Sequence, residues 1–151
     1  SARTLVSGLR FSHGDDPKLP RDLDDFDHVN SLVVPNQDSP IHGIHHFYVN
    51  GVGRDAFLNG GTDEYPDDTT FVGRVYAPVE TDDGRYKEGD LVAYTLMQKD
   101  ADAETTTSTG GWHFVMYDAE GKNTEVDPVT ACFGCHEPSP QTDFVLSEPI
   151  R

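Results

Sequence analysis

Two cysteines and a histidine near the C-terminal end carry the clearest chemistry in this sequence. Cys132 and Cys135 are separated by two residues, and His136 follows directly. Two thiols at this spacing can each add to one vinyl group of a porphyrin, and the following imidazole then lies under the ring as an axial iron ligand. The C-x-x-C-H pattern therefore predicts one covalently bound haem c, with its iron held by His136.

A C-x-x-C pair has two other common uses, as a redox dithiol or as half of a zinc site. These are the only two cysteines of the chain, so no second pair exists to complete a four-cysteine zinc site. A thioredoxin-type dithiol favours a βαβ setting, which the nearby Pro128, Pro138 and Pro140 do not indicate. Covalent haem remains the favoured interpretation.

Length and composition predict one domain over residues 1–151, long enough to bury its own core. The net charge of −16 argues against nucleic acid or an anionic membrane as a partner. It favours a solvated acidic surface that keeps the protein soluble, and a basic redox partner is the alternative. A mean hydropathy of −0.57 and the lack of an apolar run of about 20 residues predict a soluble protein without a membrane span. Covalent haem is normally attached outside the cytoplasm, and the chain opens at Ser1-Ala2. We therefore expect a mature, exported and periplasmic form.

β-branched and aromatic residues predict a mainly β (α+β) fold, an antiparallel sheet of about five strands with a few short helices. The strands recognised in the sequence cover residues 41–50, 69–76, 91–97 and 112–118. A short helix is expected at 54–59, ended by Gly60-Gly61, and the polar stretch 100–109 is expected to be a loop with at most one helical turn.

The N-terminal segment 1–40 is expected to cover a β domain that extends over 41–151. Apolar residues between Leu23 and Val33 have a spacing that predicts one short amphipathic helix in this segment.

Six stretches of the sequence resemble the cytochrome P460 and cytochrome c′-beta family of small periplasmic c-type haem proteins. In the family's order they are HHFYVN at 45–50, YPDDTTFV at 65–72, MQKD at 97–100, TGGW at 109–112, ACFGCH at 131–136 and DFVLS at 143–147. The resemblance covers the chain from about residue 41 to its end. It implies a β-sheet haem fold, usually a homodimer, with a five-coordinate iron held by His136 and an open distal side.

The two branches of that family differ at one lysine. In cytochrome P460 this lysine is covalently linked to the porphyrin edge, and that branch oxidises hydroxylamine. The equivalent position here is Gly73, and alternation along the strand turns the neighbouring Arg74 to the other face. The cross-link is therefore predicted to be absent, which places the chain nearer the c′-beta branch, whose phenylalanine-lined distal side binds nitric oxide.

The resemblance also indicates which side chains surround the haem. Phe71 shares a strand face with Gly73 and is expected to form one apolar wall, with Ile44 or Phe47 as a second. A glycine in place of a large side chain at position 73 implies a roomier or wetter pocket. From the residues themselves, Arg74 and Arg85 are candidates for pairing with the haem propionates, and Trp112 and His113 for packing at the haem edge, with a surface position as the alternative for His113.

His46 is the candidate catalytic residue on the distal side, because it shares a predicted strand face with Ile44. If His46 binds iron, the protein would be a six-coordinate electron carrier. If it stops short, it could donate a hydrogen bond in peroxide or hydroxylamine chemistry. A purely structural role for His45 and His46 is the competing interpretation. Met97 and Met116 could supply an axial thioether, although methionines at strand spacing usually pack in the core.

Three hypotheses of function follow from these residues. The favoured one is a periplasmic monohaem cytochrome, acting as a homodimer, that binds nitric oxide or a related small ligand. The second is an enzyme that oxidises hydroxylamine or reduces peroxide, and the third is a simple electron carrier.

Overall fold

The fold is one antiparallel sheet in which each strand pairs with the next along the chain. The computed structural model describes residues 13–148. The strands are β1 (Asp27–Val34), β2 (Gly43–Val49), β3 (Thr70–Glu80), β4 (Tyr86–Lys99) and β5 (Trp112–Asp118), in the order β1-β2-β3-β4-β5. The predicted mainly β fold with an antiparallel sheet of about five strands is confirmed. Residues 1–12 of the predicted cover segment lie outside the described residues.

Helices in this fold are few and short. Helix α1 (Gly51–Leu58) follows β2, and Asn50 caps it by accepting the N–H of Gly53 at 3.3 Å. The same Asn50 oxygen accepts the N–H of Thr70 at 3.0 Å, which ties the start of the helix to β3. Residues 129–136 form a π turn and a helical turn in succession; we call this segment the cysteine helix.

The helix predicted between Leu23 and Val33 is wrong. Only a 3₁₀ turn, Leu23–Asp25, is helical, and the following residues form the edge strand β1, which pairs with β2. Val29, Val33 and Val34 fit a strand because β-branched side chains lose rotamer freedom in a helix. The free edge of β2 supplies backbone partners that helical periodicity alone does not reveal.

The two faces of the sheet pack against different parts of the chain. On one face Phe71, Met97 and Phe114 lie side by side on β3, β4 and β5, and Phe133 of the cysteine helix packs in the same cluster. We call this the cysteine face. The opposite face carries a second cluster with Val72, Leu96, Val115 and Tyr117 of the sheet and Leu19, Leu23 and Phe26 of the N-terminal segment.

Burial on both faces explains why consecutive positions such as Phe71-Val72 and Leu96-Met97 are apolar, without the alternation of a half-exposed strand. Among residues 13–148, no helix is long and apolar enough to cross a membrane.

Candidate functional site

Phe133 anchors the cysteine helix on the sheet. Its ring is buried, with its centroid 6.0 Å from that of Phe114 and 5.1 Å from that of Phe144. The cysteines on either side are free thiols: Cys132 is half-buried and packs against the core, whereas Cys135 is exposed. Burial is the main cause that raises the pKa of Cys132 to about 11, with Cys135 and Asp127 adding to it. The thiol of Cys132 is therefore protonated at neutral pH.

The His136 imidazole is held in one orientation by its neighbours. Its Nδ1 lies 2.7 Å from the carbonyl oxygen of Phe144, and its ring centroid lies 5.0 Å from that of Phe114. Since the carbonyl can only accept, Nδ1 carries the proton and Nε2 keeps its lone pair. Burial lowers the pKa of His136, against a smaller opposing effect of this hydrogen bond. The site thus offers a neutral imidazole whose Nε2 can bind a metal, oriented as metal-binding histidines usually are.

The carbonyl that orients His136 belongs to an unusual stretch of backbone. Asp143 and Phe144 both have left-handed φ angles, of 50° and 65°. Lys99 Nζ lies 2.7 Å from Asp143 Oδ2, and the same oxygen accepts the backbone N–H of Tyr65 at 2.8 Å. Burial, followed by the nearby Asp143 carboxylate, raises the pKa of Tyr65 to about 12.

Sequence reasoning missed Lys99, Asp143 and the Phe144 carbonyl. A signal was present for one of them. Lys99 is two residues from Met97 in the same strand, so it points to the same face, and an inward-pointing lysine requires a partner. The identity of that partner is a long-range property that spacing along the chain does not give.

The predicted pocket residues Phe47, Phe71 and Gly73 all lie on the cysteine face. Phe47 is paired with Gly73, and Gly73 with Thr95, across three neighbouring strands. Phe71 is buried in an aromatic cluster with Phe57, Tyr65 and Trp112.

The immediate surroundings of Gly73 are closely packed, while the roomier pocket expected there stays a prediction. A Cβ added at Gly73 would clash with Thr95 Oγ1 and would lie 3.1 Å from Phe47 Cε1. The first atom of any side chain at position 73 therefore meets these two neighbours.

His46 and Arg74 lie on the other face, so the expectation that His46 reaches the distal side is corrected. His46 Nδ1 is hydrogen-bonded to Ser31 Oγ at 2.6 Å, and its Nε2 contacts Glu88. Arg74 is paired with His46 in the sheet, and its guanidinium lies 5.1 Å from the centre of the Tyr48 ring. The structure therefore places His46 and Arg74 on the side of the sheet away from His136.

His45 is the histidine of β2 that shares the cysteine face. Its ring is buried and stacks on Phe47 with centroids 5.8 Å apart, while its Nε2 donates to the Ile41 carbonyl at 2.8 Å. Ile44 alternates with it onto the opposite face, whereas Phe47 shares the face of Phe71 and Gly73.

The remaining predicted haem contacts are dispersed. Trp112 is fully buried on the cysteine face, and Lys99 Nζ lies 5.3 Å from its ring centroid. His113 is turned away and contacts Asp100 at 3.0 Å. Arg85 belongs to the exposed turn between β3 and β4, where it pairs with Asp83 at 2.7 Å. The structure therefore brings together the cysteine helix and the 143–144 turn, whereas Phe47 is placed only on the same face of the sheet.

Filling the space above Gly73 should destabilise the fold. We expect Gly73→Ala to lower the free energy of unfolding by about 1–3 kcal/mol, a typical overpacking cost, because the new methyl group meets Thr95 and Phe47. Adding Thr95→Ala should recover part of the loss, since it removes the nearest atom. Urea unfolding of the single and double variants measures both effects.

Gly51→Ala is the matched control for that substitution. An added Cβ there has no atom within 4 Å. We therefore expect the free energy of unfolding to stay unchanged, or to rise by up to about 1 kcal/mol because the unfolded chain has less conformational freedom. Equal stability of Gly73→Ala and wild type would show that Phe47 and Thr95 do not close this space.

The donor set fits a covalently bound haem. Two free thiols stand three positions apart in one helical segment, and the adjacent imidazole presents an available Nε2. The chemistry of these three groups is that of two thioether bonds and one axial iron ligand.

Comparison with known proteins identifies a family for this chain. The family model for cytochrome P460 matches residues 20–147 of the chain. That span includes all five strands, helix α1, the cysteine helix and the turn at Asp143 and Phe144. No curated protein matches the chain.

Proposed function

The chain belongs to the cytochrome P460 family, and from that membership we propose that it is a monohaem c-type cytochrome binding nitric oxide or a related small ligand. In this proposal Cys132 and Cys135 form the thioether bonds and His136 is the proximal ligand. A haem held there would supply an iron whose sixth position is open to diatomic ligands.

The hydrogen bond from His136 Nδ1 to the Phe144 carbonyl is the observation that carries the proposal. It fixes the tautomer in which Nε2 is the electron-pair donor, and the lowered pKa of His136 keeps the ring neutral. Such a carbonyl acceptor makes a histidine ligand more basic, so it strengthens the bond to the metal.

The side chains around Gly73 support binding of a neutral ligand over acid–base chemistry. The Phe47 ring and the uncharged Thr95 hydroxyl lie against Gly73, the position at which the P460 branch has its cross-linking lysine. His46, proposed from the sequence as a distal acid or base, is committed to Ser31 and Glu88 on the opposite face. This arrangement supports the c′-beta type of function.

The proposal extends to location and assembly. We place the protein in the periplasm, since covalent haem is normally attached outside the cytoplasm. A homodimer is supported by the edge strand β1, which exposes Leu32 and Val33 by 42% and 52%. The net charge of −16 suits a basic redox partner. Sedimentation at micromolar concentration tests the dimer, and a monomer there would exclude it.

Absorption spectra of the ferric and dithionite-reduced protein, before and after addition of nitric oxide, test the function. We expect a high-spin ferrous haem with an ordinary Soret band that shifts when nitric oxide is added. A six-coordinate low-spin iron in both oxidation states would favour the electron carrier instead. A broad, strongly red-shifted Soret band on reduction would indicate a modified porphyrin and favour hydroxylamine oxidation. Turnover of hydroxylamine or peroxide above that of free haem would likewise overturn simple ligand binding.

A further inference from the structure

We propose that the buried ion pair between Lys99 and Asp143 positions the iron ligand, by holding the Phe144 carbonyl where it accepts the His136 Nδ1–H. This inference rests on the proposed function, since it takes His136 as the proximal ligand. Lys99 and Asp143 are positioning residues, acting through Phe144.

The ion pair is as deeply buried as the apolar core. Lys99 is 5% exposed and Asp143 is 4% exposed, and their charged atoms are 2.7 Å apart. Taking two charges out of water is costly, so such a pair often adds little stability compared with apolar residues of the same size. A role in fixing geometry is a physical reason for its presence here.

Asp143 is anchored at more than one point. Besides Lys99, its Oδ2 accepts the Tyr65 N–H at 2.8 Å. Lys99 in turn belongs to β4, where its backbone N–H donates to the Thr69 carbonyl at 2.9 Å. The carboxylate is therefore tied to the rigid sheet on one side and to the loop before β3 on the other.

The next residue carries the acceptor for His136. Asp143 and Phe144 are successive non-glycine residues with left-handed φ angles, a conformation that costs free energy unless the surroundings impose it. The Phe144 N–H donates to the Ser139 carbonyl at 2.8 Å, and its ring packs against Phe133. With Asp143 fixed before it, the Phe144 carbonyl lies 2.7 Å from His136 Nδ1.

The strength of that hydrogen bond has an electronic consequence for a bound haem. A well-aligned acceptor increases electron donation by the imidazole, which strengthens the iron–histidine bond and favours the ferric state. Loosening the turn should weaken the iron–histidine bond and raise the reduction potential. The ion pair thus links a buried lysine on the sheet to the electronic state of the iron.

The test uses holoprotein carrying Lys99→Met or Asp143→Asn. The readouts are the ferrous iron–histidine stretching band, by resonance Raman spectroscopy, and the midpoint potential. We expect both variants to move the band to lower frequency and the potential upward. The effect should be smaller for Asp143→Asn, which keeps an oxygen for the Tyr65 N–H and for Lys99. If Lys99→Met does not fold, the conservative Asp143→Asn variant alone tests whether the ion pair positions the Phe144 carbonyl.

Val115→Ala is the matched control for general destabilisation. Val115 is 3% exposed in the cluster on the opposite face, so its truncation loosens the core without contacting the 143–144 turn. We expect the band and potential of this variant to match wild type. If Asp143→Asn and Lys99→Met also match wild type, the positioning role is overturned while the proposed haem function stands. If wild-type protein shows no iron–histidine band, the proposed function fails, and this inference fails with it.

Discussion

Replacement of His136 by glycine is expected to abolish the iron–histidine bond while the haem stays attached to the chain, and added imidazole should restore the bond. The physical reason is the separation of roles in the cysteine helix. Thioether bonds from Cys132 and Cys135 do not require the imidazole, whereas a five-coordinate iron has no other protein ligand in our proposal. Ferrous resonance Raman spectra follow the iron–histidine bond, and acidic organic extraction shows whether the haem remains covalently bound.

His46→Ala is the informative control, because His46 was a plausible iron ligand from sequence alone. Its imidazole is hydrogen-bonded to Ser31 on the face opposite to Phe133 and His136, so this variant should keep both the iron–histidine band and the covalent haem. A normal histidine-ligated spectrum in His136→Gly would overturn the ligand assignment. Conversion from low-spin to high-spin iron in His46→Ala would show that His46 reaches the metal.

The two histidines show what alternation along a strand can and cannot predict. It correctly separates His45 and Phe47 from His46, because successive side chains point to opposite faces. It does not reveal which of these sets joins Gly73, since that depends on the register between β2 and β3. The pairing of Phe47 with Gly73 puts His45 on the cysteine face.

Strand predictions succeeded where the local pattern was sufficient. Strand β5 has the predicted bounds, 112–118, because its aromatic and β-branched residues are bordered by glycines and a turn. Strand β1 was predicted as a helix because its apolar spacing also fits a helical face. The pairing with β2 that makes it a strand is not visible in the local sequence. Strand β4 is longer than the predicted 91–97, since its first residues pair with the end of β3 as far as Glu80 and Tyr86.

The sequence predicts the reactive groups of the candidate site, but not the hydrogen bond and ion pair that hold them in place. The C-x-x-C-H spacing points to two thiols and an imidazole without any knowledge of the fold. The acceptor for His136 is a backbone carbonyl eight residues later. Every residue has a backbone carbonyl, so the sequence cannot indicate which one accepts this hydrogen bond. The ion pair behind it joins residues 44 positions apart, which only the packed fold brings together.

Removal of the Asp143 carboxylate alone should cost more stability than any surface substitution. We expect Asp143→Ala to lower the free energy of unfolding by about 3–5 kcal/mol, the usual cost of breaking a buried ion pair from one side. The Lys99 ammonium would be left buried without a counter-charge, and the Tyr65 N–H would lose its acceptor. Equilibrium urea unfolding measures the change.

If the unpaired Lys99 charge causes the loss of stability, removing both Lys99 and Asp143 should lower the free energy of unfolding by less than the sum of the two single substitutions. In Asp143→Ala with Lys99→Met, no ammonium is left in the core, so the double variant should be more stable than Asp143→Ala alone. Asp27→Ala is the matched surface control: its pair with Arg54, at 3.4 Å, has both side chains about half exposed, and its loss should cost at most about 0.5 kcal/mol. An Asp143→Ala cost as small as that of Asp27→Ala would mean that water reaches Lys99 and that the pair is not a buried constraint.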